Sequence, residues 1–227
     1  MVFYQKKDGY CYNSDTLFLY DFISSFNPQN NLLDIGSGCG ILGLLLKNKF
    51  NINLDQIDIQ EENINLNKKN ANINNLESNI YFNDFSKYKT SIKYDFIVSN
   101  PPYYESSIKS QNSHLAISRY NEYLNLEDLI KHSNTLLKPS GEFIFCYDAR
   151  LFDKVVNVLT KYKLNICDIK FVHPTSEKKA KLVLIRSKKS SHSIMNVHPS
   201  LIATNGNINS IQAQKIFNEV KLDSIKI

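Results

Sequence analysis

The chain has 227 residues, of which 42% are hydrophobic, and a formal net charge of +5. This length predicts one domain with enough core to fold alone. No apolar run approaches the roughly 20 residues of a membrane-spanning helix, and the N-terminus lacks a signal-peptide core, so we expect a cytoplasmic protein without a membrane partner. The mild positive charge is compatible with a nucleic-acid partner without requiring one.

We predict a single domain over residues 1–227, with 1–30 as a lid segment over substrate and cofactor and 187–227 as a C-terminal tail. The cysteines show no Cys-x-x-Cys spacing, so the sequence indicates neither a zinc site nor a disulfide framework, and we expect no metal. The oligomeric state does not follow from the sequence, although a monomer is slightly favoured.

A nucleotide-binding unit is predicted near the N-terminus. An extended segment over 9–12 and a helix over 14–26 come first. Residues 32–35 then form a short apolar strand, 36–40 a glycine-rich turn and 41–46 an apolar helix. Strand, glycine turn and helix allow a backbone to approach a ligand closely, beside the free N–H groups of the helix N-terminus.

The glycine turn fits two ligands. Residues 38–43 match Gly-x-Gly-x-x-Gly, the dinucleotide fingerprint, which is a weak signal alone. Residues 34–40 also match Asp-x-Gly-x-Gly-x-Gly, in which Asp34 ends the strand. A carboxylate so close would repel a pyrophosphate, but it suits an ammonium or a sulfonium group. S-adenosylmethionine carries both groups.

Two more acids follow predicted strands. Asp58 lies near the end of the strand beginning at Gln56, about 20 residues beyond the glycines, where a carboxylate can accept from ribose hydroxyls. Asp84 follows an apolar strand over 79–82, at the spacing expected for a contact to an adenine amino group. Each acid alone also fits an ordinary turn or helix cap.

The sequence Asn100-Pro101-Pro102-Tyr103 ends the apolar run 96–98. Prolines donate no backbone hydrogen bond and fix their own φ, so this strand stops in a rigid turn. The Asn100 carbonyl and a proline carbonyl can accept the two hydrogens of a planar amino group, while Tyr103 stacks on the attached ring. Ligands of open α/β sheets bind at the carboxyl ends of strands, where all four motifs fall. A dehydrogenase would use the glycines but not this tetrapeptide.

Strands alternate with helices from residue 32 to about residue 145, which indicates a parallel sheet. The link over 174–180 is short enough to join an antiparallel pair, and the tail from Ser187 is predicted as loop with one short helix. The later predicted elements are a helix from Leu126, a strand over 142–146, a helix over 151–162, strands over 165–172 and 181–185, and a helix near 210–219.

This order of motifs resembles the class I S-adenosylmethionine-dependent methyltransferases, in the branch that methylates planar amino nitrogens. The resemblance implies a Rossmann-like α/β fold, with a mostly parallel seven-stranded sheet, an antiparallel last strand and helices on both faces. It implies S-adenosylmethionine as cofactor, bound by Asp34, Gly36, Ser37, Gly38, Gly40, Asp58, Asp84, Phe85 and Asn100. The implied catalytic residues are Asn100, Pro101, Pro102 and Tyr103.

Nearly the whole chain is similar to the bacterial tRNA1(Val) adenine-N6 methyltransferases. Gly9-Tyr10 and Asp15 match the family's opening Gly-aromatic segment and Asp-containing helix. Arg119 matches an arginine that ends the loop after the tetrapeptide, although Ser118 replaces the family's alanine. A His-Pro pair followed by lysines is also kept. The resemblance implies methylation of the adenine 3′ of the anticodon in a valine tRNA.

Candidate RNA contacts follow the tetrapeptide and the His-Pro pair. The polar segment 105–120 is predicted to touch substrate, with Tyr103 and Arg119 as its contacts. A basic cluster is predicted to hold tRNA phosphates, and its alternative is a solvated face. Its members are Lys178, Lys179, Lys181, Lys188 and Lys189.

Two other functions stay open. A release-factor type N5-glutamine methyltransferase would use the same motifs, because a glutamine amide presents the same planar NH2. Those enzymes prefix a helical domain, for which the segment before the glycine turn is too short. A binding module without activity would leave the intact tetrapeptide unexplained.

Overall fold

The computed structural model describes residues 1–6, 13–101 and 124–226. Two 3-10 turns, Phe85–Lys87 and Ala149–Leu151, follow strand ends. The helices of the described residues are α1 (Ser14–Ser24), α2 (Ile41–Lys49), α3 (Glu61–Ile73), α4 (Leu126–Leu136), α5 (Phe152–Lys161) and α6 (Ile211–Val220). The strands are β1 (Val2–Gln5), β2 (Asn30–Ile35), β3 (Ile52–Asp58), β4 (Asn79–Phe82), β5 (Tyr94–Ser99), β6 (Leu137–Asp148), β7 (Leu164–His173), β8 (Leu182–Lys189), β9 (Asn196–Val197), β10 (Leu201–Ile202), β11 (Thr204–Asn205), β12 (Ile208–Asn209) and β13 (Asp223–Lys226).

A nine-stranded sheet dominates the described part of the chain, in the order β10-β7-β8-β6-β5-β2-β3-β4 with β9 beside β7. All its pairs are parallel except those of β8, which is antiparallel to both β6 and β7. The predicted Rossmann-like class and the antiparallel last long strand are therefore confirmed. The two-residue strands β9 and β10 extend the edge beyond the predicted seven strands.

The order of the strands creates a crevice at one edge of the sheet. β2 lies between β3 and β5 and is parallel to both. The chain leaves β2 towards β3 on one side and returns through β5 on the other, so the connections diverge beyond the carboxyl ends. Such a switch point is where open α/β sheets bind ligands. The glycine turn follows β2 and Asn100 follows β5, at this point.

The core explains why β2, β5 and β6 read as nearly continuous apolar runs. Parallel strands covered on both faces bury most of their side chains. Phe143, Ile144 and Phe145 of β6 are buried in succession, and so are the apolar residues of α2. Helix α1 also buries Leu19 and Ile23, so this part of the predicted lid belongs to the core layer. No helix in the described ranges combines the length and apolarity needed to cross a bilayer.

The prediction that the tail begins at Ser187 is wrong, because β8 continues to Lys189. The last residues of β8 are polar, so the sequence gives no apolar signal that they belong to a strand. Arg186 is neutralised across the sheet by Glu142 and Asp168 at 2.5 and 2.7 Å, and the buried Ser187 hydroxyl donates to a backbone carbonyl of β6. The tail then adds β9 and β10 to the sheet, forms α6, and pairs β13 with β1 in parallel.

Candidate active site at the carboxyl edge of the sheet

The glycine turn is held to the end of β3 by its own backbone. The N–H groups of Gly36 and Ser37 both donate to the Ile57 carbonyl, at 2.9 and 3.0 Å. Gly38 donates to Asp58 Oδ2 at 2.8 Å and has a φ of +55°. A Cβ at Gly38 would meet no atom within 4 Å, so the space beside this backbone is open to a ligand.

Gly40 begins α2 in a conformation that only glycine adopts easily. Its φ is +87°, and a Cβ there would lie 2.0 Å from Asn67 Oδ1 of α3. The Asn67 amide in turn donates to the Ser37 hydroxyl at 3.3 Å. The turn, α2 and α3 are therefore packed without room for a methyl group at this position.

Asp34 lies beneath the turn. Its Oδ2 accepts from the Gly43 N–H at 3.0 Å and from the Gln56 side chain at 3.1 Å. Burial raises the pKa of this carboxyl group to about 7. The carboxylate thus supports α2 from inside the sheet. Its predicted contact with the methionine part of the cofactor stays a prediction.

The raised pKa of Asp34 predicts a pH-dependent stability. An acid whose pKa is higher in the folded state stabilises the fold below its unfolded pKa, near 3.8, and loses that contribution as pH rises through about 7. We expect the free energy of unfolding to fall over this range by up to about 1.4 kcal/mol per pKa unit. Asp34→Asn keeps an oxygen acceptor and should flatten the dependence.

Urea unfolding at about pH 5 and about pH 8 measures this effect. Asp34→Asn should gain stability relative to the wild type at the higher pH. Asp153→Asn, which changes an exposed carboxylate of α5, is the matched control. An identical difference between Asp34→Asn and wild type at both pH values would refute the assignment.

Asp58 ties the glycine turn to the start of α3. Its Oδ1 accepts from the Gln60 N–H at 2.8 Å and from the Asn63 amide at 3.2 Å, while Oδ2 accepts from Gly38. Burial raises the pKa of this carboxyl group, although these hydrogen bonds oppose the shift. The Ile59 N–H is a fourth donor to this carboxyl group, so its roughly four lone-pair sites are all matched and a ribose hydroxyl would have to compete with one of these donors. The ribose contact itself stays a prediction.

Asp84 and Phe85 follow β4 at the same edge. Asp84 Oδ1 accepts from the Ser86 N–H at 2.9 Å and from its hydroxyl at 2.7 Å, while Oδ2 lies 3.2 Å from the Lys87 ammonium. Burial acts to raise the Asp84 pKa, but these partners outweigh it and lower the pKa. The Phe85 ring is buried and meets the His132 ring edge-on at 6.0 Å between centroids. Their predicted cofactor contacts remain predictions.

The Asn100 side chain is held by two neighbours that the sequence analysis did not single out. Its Oδ1 accepts from the Cys146 thiol at 2.9 Å, and its Nδ2 donates to Thr16 Oγ1 at 3.0 Å. The register of β5 and β6 sets Ser99 opposite Phe145, so the next residues, Asn100 and Cys146, follow side by side. Knowledge of this register would have identified Cys146 as a neighbour of Asn100. Pro102, Tyr103 and Arg119 lie outside the described residues.

The structure separates the lysines that the sequence analysis grouped. Three of them lie exposed in the β7–β8 link, at the carboxyl edge of β7: Lys178, Lys179 and Lys181. Lys188 and Lys189 lie at the opposite end of β8, about 23 Å away at 3.3 Å per residue. There Lys188 approaches Glu142 at 3.7 Å, and Lys189 donates to two backbone carbonyls. The prediction of a single cluster of five lysines was therefore wrong, because the length of β8 separates two of them from the other three.

Known proteins match the chain in sequence and in fold. The model of the family described as methyltransferase small domain matches residues 13–162. The tRNA1(Val) (adenine(37)-N6)-methyltransferase of Parabacteroides distasonis is 29% identical over 172 residues, which cover 71% of this chain and 73% of that protein. The protein of the same name from Phocaeicola vulgatus is 27% identical over 160 residues, covering 70% and 68%.

Solved structures share the architecture at low sequence identity. A predicted O-methyltransferase of Agrobacterium tumefaciens, Atu636, gives a TM-score of 0.71 at 12% identity and covers 94% of this chain and all of that one. The 16S rRNA N2 G1207 methyltransferase of T. thermophilus, solved with AdoMet and guanosine, gives 0.59 at 17% identity and covers 79% and 44%. At these identities the likeness establishes the fold alone.

Proposed function

Because the chain belongs to the methyltransferase small domain family, we propose that it transfers a methyl group from S-adenosylmethionine to the exocyclic N6 amine of an adenine in tRNA. The observation that carries the proposal is the position of Asn100. Val98 and Ser99 pair with Asp34 and Ile35, so an amide acceptor ends β5 directly beside the glycine turn that follows β2. An acceptor for an amino group and a turn suited to a cofactor thus share one crevice.

The turn fits the cofactor on three counts. Open space beside Gly38 allows its backbone to contact a ligand closely. The Asp58 carboxyl group beside Gly38 suits a cationic ligand and disfavours a pyrophosphate, whereas the buried Asp34, with a pKa of about 7, adds only part of a negative charge at neutral pH. The N-terminus of α2 adds oriented N–H groups. When bound, S-adenosylmethionine supplies a methyl group on a positively charged sulfur, which is a good leaving group.

The protein's part in the reaction is orientation. The N6 nitrogen of adenine is a weak nucleophile because its lone pair is delocalised into the ring. Asn100 Oδ1 and the Pro101 carbonyl would accept its two hydrogens and turn the lone pair towards the methyl carbon. The nitrogen would form its bond to the methyl carbon as the cofactor's C–S bond breaks, and the methylated nitrogen would then lose a proton to solvent. Alignment of this kind is a large part of what enzymes add to bimolecular reactions.

A tRNA substrate is supported by the names of the two relatives and by the basic link between β7 and β8, which lies at the same carboxyl edge of the sheet as the crevice. Tyr103 is proposed to stack on the extruded adenine and Arg119 to contact the RNA. A direct test is tritium transfer from labelled S-adenosylmethionine, with tRNA and release factor offered as competing acceptors. Label in tRNA is expected. Label in release factor alone would move the assignment to glutamine methylation.

The exposed lysines of the β7–β8 link should contribute to tRNA binding. Lys178→Gln, Lys179→Gln and Lys181→Gln combined should raise the KM for tRNA. They should also lower the log–log salt slope of binding by about 0.7–0.9 for each phosphate that the protein no longer neutralises. Affinity for S-adenosylmethionine should not change. The measurement is a salt titration of tRNA binding.

A charge-matched control removes three lysines from the opposite edge of the sheet. Lys93, Lys138 and Lys188 lie where β5 and β6 begin and where β8 ends. Their triple replacement with glutamine alters the net charge equally and should leave the salt slope near that of the wild type. If both triple variants reduced the slope equally, the β7–β8 lysines would be only part of a general positive charge.

A further inference from the structure

The Asn100 side chain forms hydrogen bonds with residues of two different elements of the fold. Thr16 comes from the first turn of α1 and Cys146 from the end of β6, and both are almost completely buried, at 3% and 0% exposure. The Asn13 side chain caps α1 by accepting from the N–H groups of Asp15 and Thr16, at 3.1 and 3.4 Å. Rigid elements therefore hold both partners of the Asn100 carboxamide.

The rotation of a carboxamide decides what it offers a substrate. Its oxygen only accepts and its nitrogen only donates, although the two ends have nearly the same shape. If Asn100 rotated by half a turn, it would present N–H groups to an amino group, which repel it. A donor at the oxygen and an acceptor at the nitrogen favour one rotation over the other.

The environment of Cys146 keeps its sulfur a donor. Burial raises the pKa of this thiol well above its usual value, and the nearby Asp15 carboxylate raises it further. The sulfur therefore carries its proton at neutral pH. On the other side of the amide the Thr16 hydroxyl accepts from Nδ2 at 3.0 Å and fixes the plane of the carboxamide; because a hydroxyl can also donate, the thiol is the partner that distinguishes the two rotations.

We propose that Thr16 and Cys146 are positioning residues that lock the Asn100 carboxamide in the rotation that receives an amino hydrogen of the substrate. The contact of Asn100 with a substrate rests on the proposed function, whereas its hydrogen bonds to Thr16 and Cys146 are observed in the structure. The pair extends the active site to α1 and to the end of β6, and neither side chain touches the substrate in this proposal.

Kinetics of conservative variants provide the first test. Thr16→Val and Cys146→Ala should each lower kcat by roughly 3- to 10-fold, as expected for the loss of one hydrogen bond that orients a reacting group. The KM for tRNA and the Kd for S-adenosylmethionine should change little. Thr16→Ser keeps the hydroxyl, and Cys146→Ser replaces the thiol with a hydroxyl that can also donate. Both variants should therefore retain most of the wild-type rate. Cys167→Ala, another buried cysteine that lies near the opposite end of the sheet, controls for packing.

A double-mutant cycle separates positioning from stability. In an Asn100→Ala background, Thr16→Val and Cys146→Ala should cause no further loss of kcat, because the group they orient is gone. Equal losses in both backgrounds would mean that Thr16 and Cys146 act only through packing, and the inference would be overturned.

Infrared spectroscopy tests the hydrogen bond without any activity. The S–H stretching band of Cys146, identified by its disappearance in Cys146→Ser, should move to higher frequency in Asn100→Ala as its acceptor is removed. An unmoved band would overturn the inference even in a protein that methylates tRNA. A shifted band in a protein that methylates no tRNA would support the locked carboxamide and reject the adenine substrate instead.

Discussion

Asn100→Ala should lower kcat for methyl transfer to tRNA by about 10²-fold or more, the usual effect of deleting one preorganised hydrogen-bonding group from an active site. The expected loss is large because the side chain would align the attacking amine. The fold should survive, since the residue follows β5 and the apolar strand before it is unchanged. Single-turnover kinetics with saturating tRNA measure the chemical step directly.

Cofactor binding is the control for that experiment. Calorimetric titration should give Asn100→Ala nearly the wild-type affinity for S-adenosylmethionine, because the glycine turn and Asp58 hold each other without it. A variant that kept the wild-type kcat would show that Asn100 does not position the substrate. A variant that no longer bound the cofactor would show that its main role is in cofactor binding.

Gly40→Ala should destabilise the protein by at least about 2 kcal/mol and weaken cofactor binding sharply. A left-handed backbone costs a residue with a side chain about 1–2 kcal/mol. The new methyl group would also displace the Asn67 side chain, whose Oδ1 lies 2.0 Å from the Cβ position. Since Asn67 supports Ser37, the displacement reaches the turn proposed to hold the cofactor. Thermal unfolding and calorimetry measure the two effects.

Two further variants isolate the cause of this loss. Gly206→Ala lies in the β11–β12 turn at a φ of +64° with no atom within 4 Å of its Cβ, so it should suffer the backbone strain alone. Asn67→Ala combined with Gly40→Ala removes the collision and should restore part of the stability. If Gly206→Ala and Gly40→Ala lost the same free energy of unfolding, the collision with Asn67 would contribute nothing to the destabilisation.

The sequence predicted the carboxyl edge well, because its signals are local. The three glycines among residues 36–40 predict the turn, and apolar runs predict the buried strands before it and before Asn100. Once these strands are parallel, their ends must meet at one edge of the sheet. The short link over 174–180 likewise predicted the antiparallel pair that the structure confirms.

Contacts between distant segments could not be predicted in this way. Asp34 turns beneath α2 to meet Gln56, which requires the packing of β2 against β3. Thr16 reaches Asn100 only because α1 packs beside the end of β5, 84 residues away in sequence. The pairing of β13 with β1 joins the two ends of the chain through strands of four residues each, too short to give a periodic signal.

The most direct test of the account is the chemical identity of the methylated product. The protein would be incubated with S-adenosylmethionine and with tRNA from cells that lack its gene, and the tRNA digested and analysed by mass spectrometry. We expect N6-methyladenosine in the fragment that contains the nucleotide 3′ of the anticodon of a valine tRNA, and its loss with Asn100→Ala. Methylation confined to guanine, or to a glutamine of release factor, would contradict it.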